Sequence, residues 1–319
     1  MRDLSTDLKV LQDETLTNLK SSKANNTIKA YKSDFKDFSL FCIKHNLESM
    51  PSNPNTVSLY LTSLSKTDAK ISTLRRRLVS IGVIHKFKGH YLDTKHPIIV
   101  ENLLGIRRTK GSFQKGKKPL LINHLNKIIE VINKDNTPII KKLRDKSLIL
   151  IGFSGGFRRS EIISIDYQDL EFVEEGLKIM VKRSKTDQYG EGYLKGIPYF
   201  SNEMLCPVRT LKDWIDISKI NTGPIFRKFN KGFNLSNLRL TDQTIALVIK
   251  NYLNKAGLDS KNYSGHSLRS GFASVTAEAG ADERSIMAMT GHKTTQMVRR
   301  YIREANLFKN NALNKIITK

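Results

Sequence analysis

The sequence predicts a mainly α-helical protein of two domains with one small antiparallel β-sheet. Three observations predict it. Apolar residues recur at helical spacing through nearly every segment. Strict apolar/polar alternation is confined to residues 169–200. A basic, glycine-bearing stretch, residues 111–118, separates two helical halves. The domains expected are therefore 1–110, all helix; 111–118, a basic linker; and 119–319, helical with the sheet and a C-terminal tail over 302–319.

Taken in order, residues 5–20 give a short first helix. Residues 27–45 give a stronger one, with Ile28, Tyr31, Phe35, Phe38 and Phe41/Cys42 on one face. Asn53 followed by Pro54 is a cap and first-turn signal for a helix carrying Val57, Tyr60, Leu61 and Leu64. Ser72 or Thr73 is expected to cap the next, with Leu74, Leu78, Ile81 and Ile84, and Pro97 opens another. In the second half, residues 121–132 and 139–153 read as helices, the latter so apolar that it must be buried. Residues 169–173, 177–183 and 193–200 read as strands, with Leu177, Ile179 and Val181 alternating with Lys178, Met180 and Lys182. Pro207 and Thr241 begin two further helices, and Trp214, Phe272 and Met287 are assigned to the core.

The 319 residues carry a formal net charge of +24 and a pI near 9.9. Such an excess calls for a polyanion, and nucleic acid is the first choice. A membrane surface ranks below it, because no block of Lys/Arg lies beside an apolar anchor. The N-terminus lacks a signal-peptide core, and the longest apolar run, 148–153, is too short to span a bilayer. Cys42 and Cys206 have no metal-type spacing; with Cys42 in an apolar helix, a reduced, cytoplasmic protein is expected. His85, His90 and His96 share no helix face and are read as surface or DNA-facing groups.

The charge is uneven. Residues 1–70 carry net +2, whereas 71–118 carry twelve Lys/Arg against Asp93 and Glu101. Arg75, Arg76, Arg77, Lys86, Lys88, Arg107, Arg108, Lys115, Lys117 and Lys118 are the DNA-contact candidates, because acidic residues that would balance a solvated face are nearly absent from the segment.

Chemistry concentrates in three places. Residues 263–301 contain Y-S-G-H-S-L-R-S-G-F and M-T-G-H-K-T-T-Q-M-V-R-R-Y, with His266, Arg269, His292 and Tyr301. His266 and Arg269 are three apart and share a helix face. Upstream, Arg158 and Glu161 begin a helix after a glycine-rich turn, and Lys185 stands in S-K-T-D at a hairpin tip. Guanidinium forks, imidazoles and a phenol suit attack on a phosphate ester, where negative charge gathers on the non-bridging oxygens.

In order and spacing, G-F-R-R-S-E-I (156–162), S-K-T, H-S-L-R (266–269), G-H (291–292) and R-Y (300–301) resemble the successive signatures of the tyrosine recombinase, or phage integrase, family. The basic helical half resembles that family's core-binding domain, so the resemblance covers nearly the whole chain. It implies a C-shaped two-domain DNA clamp of the Cre/Xer-like kind, with no room ahead of the helical half for an added arm-binding domain. It implies Arg158 and Arg269 on the phosphate, His266 as base, His292 as phosphate donor, Tyr301 as nucleophile and Lys185 as general acid to the 5′ oxygen. Glu161 falls to orienting an arginine or His266. Within the motifs, the G-F-R-x-S-E register selects Arg158 over Arg159, and the turn selects Lys185 over Lys182 and Arg183.

The product would be a 3′-phosphotyrosyl link, which conserves bond energy, so no cofactor, metal or ATP is called for. The implied partners are double-stranded DNA with inverted-repeat sites and, through exchange of an apolar tail containing Phe308, Leu313, Ile316 and Ile317, a homotetramer on DNA serving a mobile genetic element. Two other classes compete: a type IB topoisomerase-like enzyme, and a DNA-binding protein on the same fold without catalysis. The complete set of six candidate residues argues against the second. The basic N-terminal half and the tail argue against the first.

Overall fold

The computed structural model describes residues 10–11, 13–15, 17–18, 22–111, 116–182, 191–305 and 313–317. The chain divides into two compact units, Met1–Lys115 and Gly116–Lys319. No described helix is long and apolar enough to cross a membrane.

The core of the first unit is built from α1 (Asn25–Lys44), α2 (Pro54–Ser65), α3 (Ile71–Phe87) and α4 (Pro97–Lys110), and the described residues within 10–18 are also helical. Phe38 and Cys42 of α1 are fully buried with Val57, Tyr60 and Leu61 of α2, Leu74 and Ile81 of α3 and Ile99 of α4. Asn53 caps α2 by accepting from the Thr56 N–H at 2.9 Å, with Pro54 in the first turn. α3 starts one residue before the expected caps: Lys70 is its N-cap, and no side chain bonds the first turn. His85 is not a surface group. It is fully buried, its Nδ1 donating to the Ile81 carbonyl at 2.8 Å and its Nε2 accepting from the Ser52 N–H at 3.0 Å. Burial holds its pKa below the ordinary histidine value. His96 accepts from the Ile98 N–H and so caps α4.

The second unit is organised around α6 (Ile139–Ser154), whose residues 147–154 are all buried. On it pack α5 (Ile122–Lys134), α8 (Pro207–Ser218) and α10 (Ser267–Glu278). α5 contributes the stripe Leu125, Ile128, Ile129 and Ile132, and α8 contributes Trp214, whose Nε1 donates to the Ile225 carbonyl at 3.0 Å. Between α6 and α8 come α7 (Arg159–Ser164) and a three-stranded antiparallel sheet: β1 (Leu170–Phe172), β2 (Gly176–Val181) and β3 (Tyr193–Pro198), in that order. Leu177, Ile179 and Val181 face inward, opposite Ile197, Lys195 and Tyr193.

A second hairpin, β4 (Arg227–Phe229) and β5 (Leu235–Arg239), lies where no strand was expected. Its residues do not alternate. Arg239 fastens it by donating to the Ile163 carbonyl and to Asp166. α9 (Asp242–Lys255) follows Thr241 as N-cap, whose hydroxyl bonds Thr244 rather than a backbone N–H. The chain ends in α11 (Glu283–Thr290), α12 (Thr295–Ala305) and the short α13 (Asn314–Ile317). Gly271 of α10 lies directly on the chain that opens this unit. A Cβ there would fall 2.1 Å from the Leu120 carbonyl oxygen, and the Leu120 N–H donates to the Ser267 carbonyl at 2.9 Å.

Candidate active site

Three segments distant in sequence converge in the second unit. The first is the turn after α6. Gly156 has φ +54°, and a Cβ there would lie 3.0 Å from Phe272 and 3.1 Å from Thr290, so glycine serves both the left-handed backbone and the close approach. The turn delivers Arg158 to the N-cap of α7. Glu161, almost fully buried, grips Arg158 twice. One carboxylate oxygen accepts the backbone N–H at 2.8 Å and the other accepts Nη1 at 2.6 Å. Of the orienting partners left open by sequence, Glu161 therefore holds Arg158. Arg159 pairs instead with Asp242 at 3.7 Å.

The second segment is the start of α10. His266 is its N-cap and, taken as a whole residue, is exposed. Desolvation by its surroundings, then the charges of Arg269, Arg158 and Arg159, hold its pKa below the ordinary value. Arg269 lies in the first turn and is 1 % exposed. Its Nη1 donates to the Gly156 carbonyl at 2.9 Å, whereas Nε and Nη2 are buried without a hydrogen-bond partner among the described residues. Burial, then the neighbouring Arg158 charge, pushes its pKa down to about 10, with Glu161 opposing, so it stays cationic at neutral pH. Buried donors of this kind are costly unless something pairs with them.

The third segment joins α11 to α12. Gly291 ends α11 with φ +60°, and its carbonyl accepts from Arg158 Nη2 at 3.4 Å. His292 follows, 7 % exposed, with Nδ1 2.7 Å from Thr290 Oγ1. Burial first, then Arg269, Arg158, His266 and Lys195, pushes its pKa down to about 4. Its ring centroid is 6.5 Å from that of Tyr301. Tyr301 is half-buried on α12, packed against Ala273, Ala277, Ile286 and Val298. Five of the six expected residues thus belong to one constellation. The remaining one, Lys185, lies outside the described residues; its neighbour Lys182 is engaged by Asp169 at 2.5 Å.

Sequence reasoning passed over Lys195. It is 1 % exposed on the inner face of β3, donates to the Gly155 carbonyl at 2.6 Å and lies 3.9 Å from the centroid of the Phe157 ring. Burial pushes its pKa down to about 7; Glu161 works against this, while Arg269 and Arg158 add to it. The signal was available: Lys195 is in phase with Ile197, so a charged residue occupies a core-facing strand position. Thr290, in contact with both Gly156 and His292, was also missed, and no sequence pattern marks it.

In the first unit, Arg75 and Arg107 line one cleft of about 650 Å³ together with Lys66, Lys70 and Lys110. Lys86, Lys88 and Arg108 are exposed. Arg76 and Arg77 are not without acidic partners. Arg76 pairs with the buried Asp34, and Arg77 with Asp34 at 3.4 Å and Asp37 at 2.6 Å. Those carboxylates come from α1, outside the segment whose charge was counted. In the second unit, Lys117 donates to the Lys261 carbonyl and the Lys118 backbone N–H to that of Asn262; Lys118 is exposed, and Lys115 lies outside the described residues.

Comparison with known proteins converges on one family. The phage integrase family model matches residues 119–307. An integrase/recombinase XerD homologue of Selenomonas ruminantium is 41% identical over 304 residues, covering 94% of this chain and 88% of that protein. A tyrosine recombinase XerC of Leptospira interrogans is 23% identical over 290 residues, covering 89% of this chain and 85% of its own. Among solved structures, the Tn1549 transposon integrase in complex with transposon right-end DNA has a similar fold. It gives a TM-score of 0.60 at 15% identity, over 93% of this chain and 97% of that one. XerH recombinase bound to its difH substrate gives 0.57 at 19% identity, over 81% and 71%. With the family model spanning the unit that holds the constellation, and a relative of this identity spanning nearly the whole chain, the protein belongs to the phage integrase family, the tyrosine recombinases that cleave and rejoin DNA.

Proposed function

We propose that this protein is a site-specific recombinase that breaks and rejoins duplex DNA through a 3′-phosphotyrosyl intermediate on Tyr301. The observation that carries the reading is the Arg269 guanidinium, cationic and buried, with two donor nitrogens unpaired among the described residues. A phosphodiester oxygen is the acceptor such a fork fits. Arg158, held by Glu161, supplies the second guanidinium. Together they stabilise the charge that grows on the non-bridging oxygens as the phenol attacks, usually the largest catalytic contribution.

An unperturbed phenol has a pKa of about 10, so attack requires a base. His266 takes the Tyr301 proton, because its lowered pKa leaves it neutral and able to accept at pH 7. His292 contributes to holding the phosphate. Lys185 protonates the departing 5′ oxygen. The bond between phosphorus and the 5′ oxygen breaks as the bond between phosphorus and the Tyr301 phenol oxygen forms, so the link retains the energy needed for rejoining, and no nucleotide is consumed. The basic cleft bearing Arg75 and Arg107 holds the duplex backbone. Assembly on paired sites is a homotetramer formed through the C-terminal tail, where Leu313 and Ile316 are exposed.

Arg269→Ala tests the reading. It is expected to lower covalent adduct formation on a nicked duplex about 10²–10³-fold while uncut duplex is still retained in a gel shift. Undiminished adduct formation by that variant would remove the assignment.

A further inference from the structure

Thr290 determines what His292 can do. The Thr290 hydroxyl has one hydrogen and two hydrogen-bonding partners within reach. Its Oγ1 is 2.6 Å from the Ile286 carbonyl oxygen and 2.7 Å from His292 Nδ1, and the residue is fully buried. A carbonyl only accepts, so the hydroxyl hydrogen lies toward Ile286. The hydroxyl then presents lone pairs to the imidazole, and Nδ1 must be the nitrogen that carries the hydrogen. A neutral His292 is therefore the Nδ1–H form, with Nε2 a bare acceptor. A bare nitrogen repels a phosphate oxygen; it donates only after gaining a second proton.

We propose that Thr290 is a positioning residue that locks His292 in the Nδ1–H tautomer, so that His292 engages a phosphodiester oxygen only by taking up a proton at Nε2. The proposal rests on the reading of His292 as a phosphate-holding group. It turns a hydrogen-bond contact into a proton-linked one: oxyanion binding and protonation of His292 occur together.

The surroundings fit this coupling. The charged and titratable groups around His292 include Arg269 on α10 and His266 at its N-cap, Arg158 at the start of α7, Lys195 on β3, Tyr301 on α12 and the Tyr193 hydroxyl of β3, which lies against Gly291. Arg269 and Arg158 are cations at neutral pH and Lys195, its pKa pushed down to about 7, is partly so; together with burial they hold the ring neutral in the unliganded protein. A bound oxyanion offsets those charges at the place where they act, which favours the imidazolium. His85 provides an internal contrast. A carbonyl, that of Ile81, faces its Nδ1 directly and fixes the same tautomer with no hydroxyl between, but its Nε2 is already occupied by the Ser52 N–H.

The experiment uses full-length protein with 15N-labelled histidine, and inorganic phosphate as the oxyanion probe. Long-range 1H–15N spectra distinguish protonated from bare ring nitrogens. In wild type and Thr290→Ser at neutral pH, His292 is expected to show Nδ1 protonated and Nε2 bare; Thr290→Val is expected to populate the Nε2–H form. Saturating phosphate is expected to raise the His292 pKa by at least about one unit in wild type, a tenfold change in proton affinity, and by less in Thr290→Val. A wild-type spectrum with Nε2 protonated at neutral pH, or a pKa that phosphate leaves unmoved, overturns the proposal. The tautomer is read without DNA, so it is separable from the parent reading. Adduct formation by the same wild-type sample on a nicked duplex tests that reading: the expected spectrum without an adduct counts against the function, and an adduct with the wrong tautomer counts against the lock.

Discussion

Lys195 puts an ammonium on the apolar face of a sheet, directly across from Ile179. The Gly155 carbonyl and the Phe157 ring offset part of its desolvation. Its carbonyl contact anchors the same glycine turn that Arg269 grips one residue later through Gly156. The linkage has a definite sign. The folded-state pKa, pushed down to about 7, lies below the lysine value of about 10.4 in an unfolded chain. Between those values the unfolded chain binds more protons, so folding stability rises with pH across that window and the penalty is greatest below it. Denaturant titrations of wild type and Lys195→Met over pH 6–10 should show this rise in wild type and a flatter profile in the variant. Equal slopes would mean that Lys195 ionises normally. The same residue marks a limit of sequence reading. Alternation set Leu177, Ile179 and Val181 on one face of β2, but the returning strand was given no phase, so its lysine was not recognised as core-facing.

At the scale of elements, the site is held unevenly. α6, the turn after it and α10 are embedded in the large core, whereas α10, α11 and α12 meet over a small cluster of Ala273, Ala277, Ile286 and Val298. The helix that carries Tyr301 is therefore the lightly anchored one, a property suited to a nucleophile that must be placed against a bound duplex. Beyond it, Leu313 and Ile316 are 57% and 72% exposed around α13. Under the proposed tail exchange, these side chains are covered by a second protomer on DNA. Deleting residues 306–319 is expected to abolish tetramers on paired sites in sizing experiments while leaving single half-site binding intact. Tetramers that persist after the deletion would place the contact elsewhere.

At the scale of the molecule, helices with long periodic faces were legible almost to their ends, because burial of one face is what forms them: α1 with Phe35 and Phe38, α5 with Leu125 and Ile129. The sheet was legible because Leu177, Ile179 and Val181 alternate. The β4–β5 hairpin was not, since it is fixed by Arg239 reaching Ile163 and Asp166, contacts more than seventy residues away. The site divides in the same way. Arg158, His266, Arg269, His292 and Tyr301 fall in motifs with a recognisable order. Thr290 and Lys195 act through contacts that only the folded chain brings about. Charge counting erred for a related reason, because Asp34 and Asp37 reach Arg76 and Arg77 from another helix. The proposed reaction depends on one bond, that between Tyr301 and a DNA phosphate. Incubating the full-length protein with a nicked suicide duplex carrying its recombination site, followed by denaturing electrophoresis and peptide mapping, tests it most directly. A covalent protein–DNA adduct mapping to Tyr301, and lost in Tyr301→Phe, is the predicted result; an adduct that persists in Tyr301→Phe would contradict it.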